Sequence, residues 1–365
     1  PRDHLAPKEN SEHPFEYIDR SGRPEAARVR EFVEGAFSFY PPERQAELVA
    51  RLRSDHYRSG SFELILHELF RLRDVPVEIE APKPGTTKRP DFLVGKGVDS
   101  FYLEAIDTTE GSPERAAELK RFGELVDIVN RMQTDNFFVG FDVVDYGPCQ
   151  PSAKAIKAFL TGKLKLLDPD EESSRGSRWP WEDGKGWRIV FQPMAKKAEA
   201  RGRRDRRAVG MTTDGLRRVS TEEAIRDAVA KKATRYGAMD RPYVIAVNVS
   251  PWPLDEIACI EALFGTFDSV ESVPGGRNHF VRKPDGVLRG DRNTRVSAVA
   301  FFEDVEPWTA ANRKAVVLHN RFAERPLPFG RLGIPDARHN GDTLFREGGK
   351  VLRELLGLPP EWPRE

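Results

Sequence analysis

The stretch from Phe62 to Asp107 constrains this chain most, because the period of its apolar residues changes there from helical to extended. In FELILHELFRL, Phe62, Ile65, Leu66 and Leu69 share one face at helical spacing, and Ser61 is the expected cap. VPVEIEA then alternates as a strand does. DFLVG and FYLEAID read as two further strands joined by a short turn around Gly95 and Gly97. A helix, a strand and a hairpin in this order predict an α/β fold.

The hairpin carries the chemistry. If Gly95 pairs opposite Ser100, the paired indices sum to 195, and so do Asp91 and Glu104. Directly opposed residues of an antiparallel pair lie ~5 Å apart at Cβ and point to the same side. Two carboxylates so placed repel each other unless a cation bridges them. Oxygen ligands of this kind suit Mg²⁺ or Mn²⁺. Glu63 opens the preceding helix, with His67 one turn later on the same face. Taken singly, Glu63 reads as a surface glutamate and His67 as an ordinary core or surface histidine, although beside an acidic site His67 could act as an accessory residue that orients water or a metal ligand. Taken together, Glu63, Asp91 and Glu104 read as an acidic site.

This segment resembles the PD-(D/E)xK nuclease superfamily, which includes Holliday-junction resolvases and many restriction endonucleases. The family pattern is a helix with Glu, a Pro-Asp strand, and a strand with Glu-x-Lys. Here the matching residues are Glu63, then Arg89-Pro90-Asp91-Phe92, then Leu103-Glu104-Ala105-Ile106. The resemblance implies that Asp91, Glu104 and the Ala105 carbonyl hold a metal, with Glu63 reaching it directly or through water. It departs at one position: the motif lysine falls on Ile106, which can neither stabilise a phosphate nor help deprotonate water.

A replacement stands on the helix expected over residues 220–236, where Ser220 and Glu223 form a capping box and Gly237 is a stop. In the superfamily a helix after the Glu-x-Lys strand packs beside the site and leads into another core strand. KKATRYGAMDRPYVIAVNV is similar to that element. Lys232 and Tyr236 are spaced i,i+4, a spacing that Gln and Tyr occupy near the active centre in recombination-type exonucleases of the superfamily, so the resemblance implies Tyr236 as an accessory residue. Lys232 is the expected substitute, ahead of Lys231. The alternative is a solvated basic face.

Elsewhere the chain is less specific. Residues 1–25 are polar and read as a loosely ordered arm, followed by two helices up to about residue 55. The expected division is 1–58 as arm and helices, 59–255 as a nuclease-like core with an insertion at about 110–215, and 256–365 as C-terminal strands and a Pro-rich tail. Insertion and C-terminal strands are expected to enlarge one domain. Trp179, Trp181 and Trp187 in the insertion could stack on bases, but read better as a small core.

The net charge is zero, so a polyanion would have to be met by a local patch. Between Lys196 and Arg241 there are 14 Lys/Arg against 7 Asp/Glu. Within that run Arg203, Arg204, Arg206 and Arg207, with Lys231 and with Lys88 and Arg89 near the hairpin, are expected phosphate contacts. A solvated loop is the plainer reading of such a run. The chain lacks a GxxxxGK[ST] loop, a HxxxH spacing and a readable nucleophile elbow. Its first twenty residues have no apolar core of a signal peptide, and no apolar run reaches the ~18 residues of a membrane helix. Two cysteines make no disulfide framework, so a cytoplasmic setting is expected.

The resulting expectation is a restriction endonuclease-like mixed central sheet flanked by helices, with a helical N-terminal extension and insertions. The function expected is metal-dependent hydrolysis of DNA, in restriction or another defence role with partner proteins of such a system. A homodimer is expected if both strands are cut. The alternative is a catalytically inactive nucleic-acid-binding or protein-interaction module on the same fold, with catalysis lost at Ile106.

Overall fold

In chain order the helices and strands are α1 (Pro14–Arg20), α2 (Pro24–Ser38), α3 (Pro42–Leu52), α4 (Tyr57–Arg71), β1 (Val77–Ile79), β2 (Phe92–Val94) and β3 (Phe101–Asp107). There follow α5 (Pro113–Asn130), β4 (Phe137–Asp145), α6 (Ala153–Leu164), β5 (Trp179–Glu182), β6 (Arg188–Ala195) and β7 (Val209–Thr213). The chain closes with α7 (Thr221–Ala233), β8 (Tyr243–Val249), α8 (Glu256–Phe264), β9 (Ala298–Glu303), β10 (Ala315–His319), β11 (Asp336–Asn340), β12 (Thr343–Glu347) and α9 (Leu352–Leu355). This computed structural model describes residues 2–111, 113–171, 176–203, 207–213, 221–250, 254–267, 282–340 and 343–364.

Two compact units result, one of residues 1–6, 14–111 and 219–365, the other of 7–13 and 112–218. The first is built on a mixed eight-stranded sheet of order β1-β2-β3-β8-β9-β10-β11-β12. β1, β2 and β3 are antiparallel, β8 runs parallel to β3, and β9 parallel to β8. Strand alternation explains the layers. Phe101, Leu103 and Ala105 of β3 face α4, packing with Phe62, Ile65, Leu66 and Leu69. Tyr102 and Ile106 face the other way, into a layer with Ile225, Val229 and Ala233 of α7 and Cys259 and Leu263 of α8. β8 is buried on both faces, and YVIAVNV is accordingly an unbroken apolar run but for Asn248.

The β2–β3 register is Phe92 opposite Leu103 and Val94 opposite Phe101, the index sum of 195 expected for the hairpin. Its turn needs positive φ at Gly95 and Gly97, +87° and +60°, where a side chain would be strained.

Several expectations are corrected. The N-terminal arm is not loose: α1 buries Tyr17 and Ile18, and the Tyr17 ring lies 5.8 Å from that of Trp308. Ser61 does not cap α4, which starts one turn earlier at Tyr57; its hydroxyl donates back to the Arg58 carbonyl at 3.0 Å. Burial of Tyr57 against the N-terminal helices carries the helix past the local cap signal. The Pro-rich tail contains β11 and β12, because β11 pairs in parallel with β10, with Val317 opposite Asp336. The helix over 220–236 ends at Ala233, and its expected cap, Ser220, lies outside the described residues.

The insertion is a unit in its own right rather than an enlargement of one domain. Its strands pair with one another in the order β5-β6-β4-β7. Its apolar faces close on themselves through Leu125, Val129, Phe141, Ile156, Leu160 and Phe191. Trp179, Trp181 and Trp187 belong to that core, and the Trp187 ring N–H donates to the Cys149 carbonyl at 2.6 Å. Asp127 ties in the segment 7–13, accepting from the Asn10 and Ser11 backbone N–H at 2.8 and 2.7 Å.

Candidate active site

Glu104 is fully buried in the middle of β3, on the face turned to α7. A buried carboxylate is tolerated only with partners, and three donors converge on it. Lys232 Nζ donates to Oε1 at 2.6 Å, and Arg235 Nη1 donates to the same oxygen at 2.6 Å. The Tyr236 hydroxyl lies against Oε2 and also 2.9 Å from the Arg89 carbonyl, so its one proton has two acceptors. Burial and the nearby Glu104 charge both hold the Tyr236 hydroxyl protonated, its pKa far above the usual range. Burial opposes the Arg235 charge, but Glu104, Tyr236, Asp91 and Tyr243 together outweigh it and raise its pKa above the usual value.

Asp91 stands just before β2, opposite Glu104 by the register of the hairpin. β2 begins at Phe92, leaving the Ala105 N–H without a backbone partner on that side, and the Asp91 side chain takes it: Oδ2 accepts at 2.7 Å. This is its one hydrogen bond from the described residues. Burial, and the charges of Glu104 and Glu63, raise the Asp91 carboxyl well above the usual carboxylate range, against the opposing pull of Lys232 and the Ala105 N–H.

Glu63 approaches from α4. It is held bidentately by Arg51 of α3, with Nη1–Oε2 and Nη2–Oε1 both 2.5 Å. Glu63, Arg51 and Asp91 line one small cavity of about 40 Å³, together with Tyr40, Arg44 and Glu80. His67 lies behind this cavity: it is buried, its ring is 5.1 Å from that of Tyr40, and nothing among the described residues bonds its Nδ1.

The residues read from the sequence thus fall into two groups. Asp91, Glu104, Lys232 and Tyr236 are brought together, with Glu63 at the cavity beside Asp91. Lys231 is exposed on the outer side of α7. Lys88 and Arg89 are exposed on the loop before β2, where Lys88 Nζ donates to the Arg235 carbonyl at 3.3 Å. Arg203 and Arg207 are exposed in the second unit, and Arg204 and Arg206 lie outside the described residues. Ile106, where the expected motif would place its lysine, is 2% exposed and packs in the apolar layer under α7.

Three contributors were not read from the sequence: Arg235, Arg51 and Tyr40. Arg235 sits three residues after Lys232, so helical spacing from a nominated residue was the available signal. Arg51 and Tyr40 gave none, because they come from helices whose position only packing decides.

The arrangement offers hard oxygen donors of the type Mg²⁺ and Mn²⁺ prefer. Among the described residues no group of three or more His, Cys, Asp or Glu side chains is gathered as a ready metal site. Glu104 is turned to its three donors and Glu63 to Arg51. Asp91, crowded by like charges and bonded at only one oxygen, is the carboxylate that a cation would relieve most. The chain matches no protein-family model, curated protein or solved structure. No helix among the described residues is long and apolar enough to cross a membrane.

Proposed function

We propose that this protein is a metal-dependent endonuclease that hydrolyses DNA phosphodiester bonds on a restriction endonuclease-like fold, in the cytoplasm and in a restriction or other defence role. The observation that carries the reading is Lys232. The family motif lacks its lysine at Ile106, and a lysine from another element reaches the motif glutamate at 2.6 Å. The order α4, β1, β2, β3, then α7 against β3 and β8 beside β3, also supports it.

Asp91 and Glu63 would hold Mg²⁺ or Mn²⁺, with Glu104 as the third carboxylate and the Ala105 carbonyl as a further oxygen. Such a cation supplies Lewis-acid activation of water and neutralisation of phosphate charge. The chain's own residues do the rest. Lys232 and Arg235 place positive charge beside Asp91, where an attacked phosphodiester would gain negative charge. Tyr236, hydrogen-bonded at Glu104 and at the Arg89 carbonyl, fixes the glutamate and the loop that precedes Asp91. Lys88 and Arg89 on that loop would contact the backbone of the DNA.

One observation favours a second reading, a binding module without catalysis. Both Glu104 oxygens are already engaged, as in a structural ion-pair cluster. Nicking of supercoiled plasmid in Mg²⁺ or Mn²⁺ separates the two. Activity lost in both Asp91→Ala and Lys232→Ala supports the nuclease with the relocated lysine. Activity lost only in Asp91→Ala keeps the nuclease and removes Lys232 from it. No cleavage by the wild type, with DNA still bound, favours the binding module.

A further inference from the structure

Arg51 and Arg44 are the cations lining the cavity that Asp91 and Glu63 share; Arg44 pairs with Glu80 and Arg51 with Glu63, and no part of the motif explains Arg51. It comes from the last turn of α3, outside the helix–hairpin segment. Its position is built in. At Gly60 of α4 an added Cβ would meet the Arg51 Cβ at 3.3 Å and the Leu52 side chain at 3.6 Å, so the absence of a side chain lets α3 lie close on α4. From there the Arg51 guanidinium spans to Glu63, making two 2.5 Å contacts, and Nη2 also donates to the Ser59 hydroxyl at 3.2 Å. Its side chain is 28% exposed and that of Glu63 12%, so the pair is at the cavity wall and not in the core.

A guanidinium that grips a carboxylate with two parallel hydrogen bonds has the geometry that grips a phosphate the same way. A cation binding Glu63 would meet the Arg51 charge seated against both of its oxygens, so the two compete for it. We propose that Arg51 is a phosphate-binding residue held in reserve by Glu63: a divalent cation at Asp91 and Glu63 competes for Glu63, and the released guanidinium binds a non-bridging oxygen of the DNA phosphate beside that cation. This rests on the nuclease reading and assigns it a contact from the N-terminal helices. In the resting protein Arg51 lowers the affinity for the cation, and in the complex it holds the phosphate.

The test titrates Mn²⁺ into the whole protein by calorimetry without DNA, and measures plasmid nicking separately. Arg51→Met is expected to bind Mn²⁺ about two- to fivefold more tightly than the wild type, the size of an ion pair removed from a partly exposed site. It is expected to nick DNA with a raised KM. The tightening should vanish when Glu63→Gln is added, since the competition is then gone. Arg51→Lys, which keeps the charge and loses the fork, should bind Mn²⁺ between the two, and it stands in if Arg51→Met does not fold. A wild type that nicks DNA, beside Arg51 variants with unchanged Mn²⁺ affinity or unchanged KM, overturns the role of Arg51 and leaves the nuclease. A wild type that neither binds Mn²⁺ nor nicks overturns both.

Discussion

Lys232 and Glu104 are 128 residues apart in the chain, and their charged atoms are 2.6 Å apart in the fold. Glu104 has Arg235 and Tyr236 as well, whereas Glu104 is the one ion-pair partner of Lys232 among the described residues. Removing either partner should therefore have unequal effects. Glu104→Ala strands a buried lysine and is expected to cost about 3–5 kcal/mol. Lys232→Met leaves Glu104 with two donors and is expected to cost about 1–2 kcal/mol. Urea unfolding of both variants checks this, and equal losses would show that Arg235 and Tyr236 do not support the carboxylate.

Asp91 is expected to trade stability for function. Its folded-state pKa is raised by burial and by Glu104 and Glu63, so the ionised form is disfavoured in the fold. The contribution it makes to stability is full below the ordinary value of 3.8 and is lost as pH rises through the elevated one. Asp91→Asn keeps an oxygen for the Ala105 N–H and removes the charge. It should be more stable than the wild type at neutral pH, with the gain gone by about pH 3, and should have no nuclease activity. A destabilised Asp91→Asn at neutral pH would contradict the crowding of carboxylates at this point.

Metal addition gives the complementary result. Mg²⁺ or Mn²⁺ at about 100 times its dissociation constant should stabilise the wild type by about 2.7 kcal/mol, because only the folded chain gathers the ligands. Asp91→Asn should show little of this shift. Thermal unfolding with and without cation measures it, and an equal shift in both proteins would place the cation elsewhere.

His67 should govern part of the acid limb of stability. Burial lowers its pKa from the ordinary 6.5, despite Glu68. Its contribution is then present above 6.5 and is lost as pH falls through the depressed value. His67→Leu is expected to stay within about 1 kcal/mol of the wild type at neutral pH and to flatten the fall in stability below about pH 6. An unchanged acid limb would remove His67 as its source.

The insertion should be dispensable for folding of the first unit. The turn at Thr108–Gly111, where the chain leaves that unit, packs on α7, the first helix of the unit after the insertion. Replacing residues 112–218 with a flexible linker should leave a cooperatively unfolding protein, followed by circular dichroism. Loss of the cooperative transition would show that the unit needs its insertion.

Much of the site's local frame was legible because it depends on period and turn chemistry alone. Glycines at 95 and 97 place the turn, alternation places the strands, and together they set Asp91 opposite Glu104. The same local logic failed where distant packing overrode it. α4 begins at Tyr57 and not after Ser61, because Tyr57 finds a buried place among the N-terminal helices. β11 escaped notice because its apolar content is low; it is held by pairing with β10 and by Asp336, which meets His319 Nε2 at 2.7 Å.

By itself, then, the sequence determined the helix–strand–hairpin order and the carboxylate register, and it singled out Lys232, which comes to Glu104. Tertiary structure alone decided that Arg235 and Tyr236 share Glu104 with that lysine, that Arg51 takes Glu63, and that Asp91 turns to the Ala105 N–H. The physical reason is range. Periodicity reports which side a residue faces, whereas a hydrogen bond of about 3 Å depends on where whole helices come to rest against the sheet.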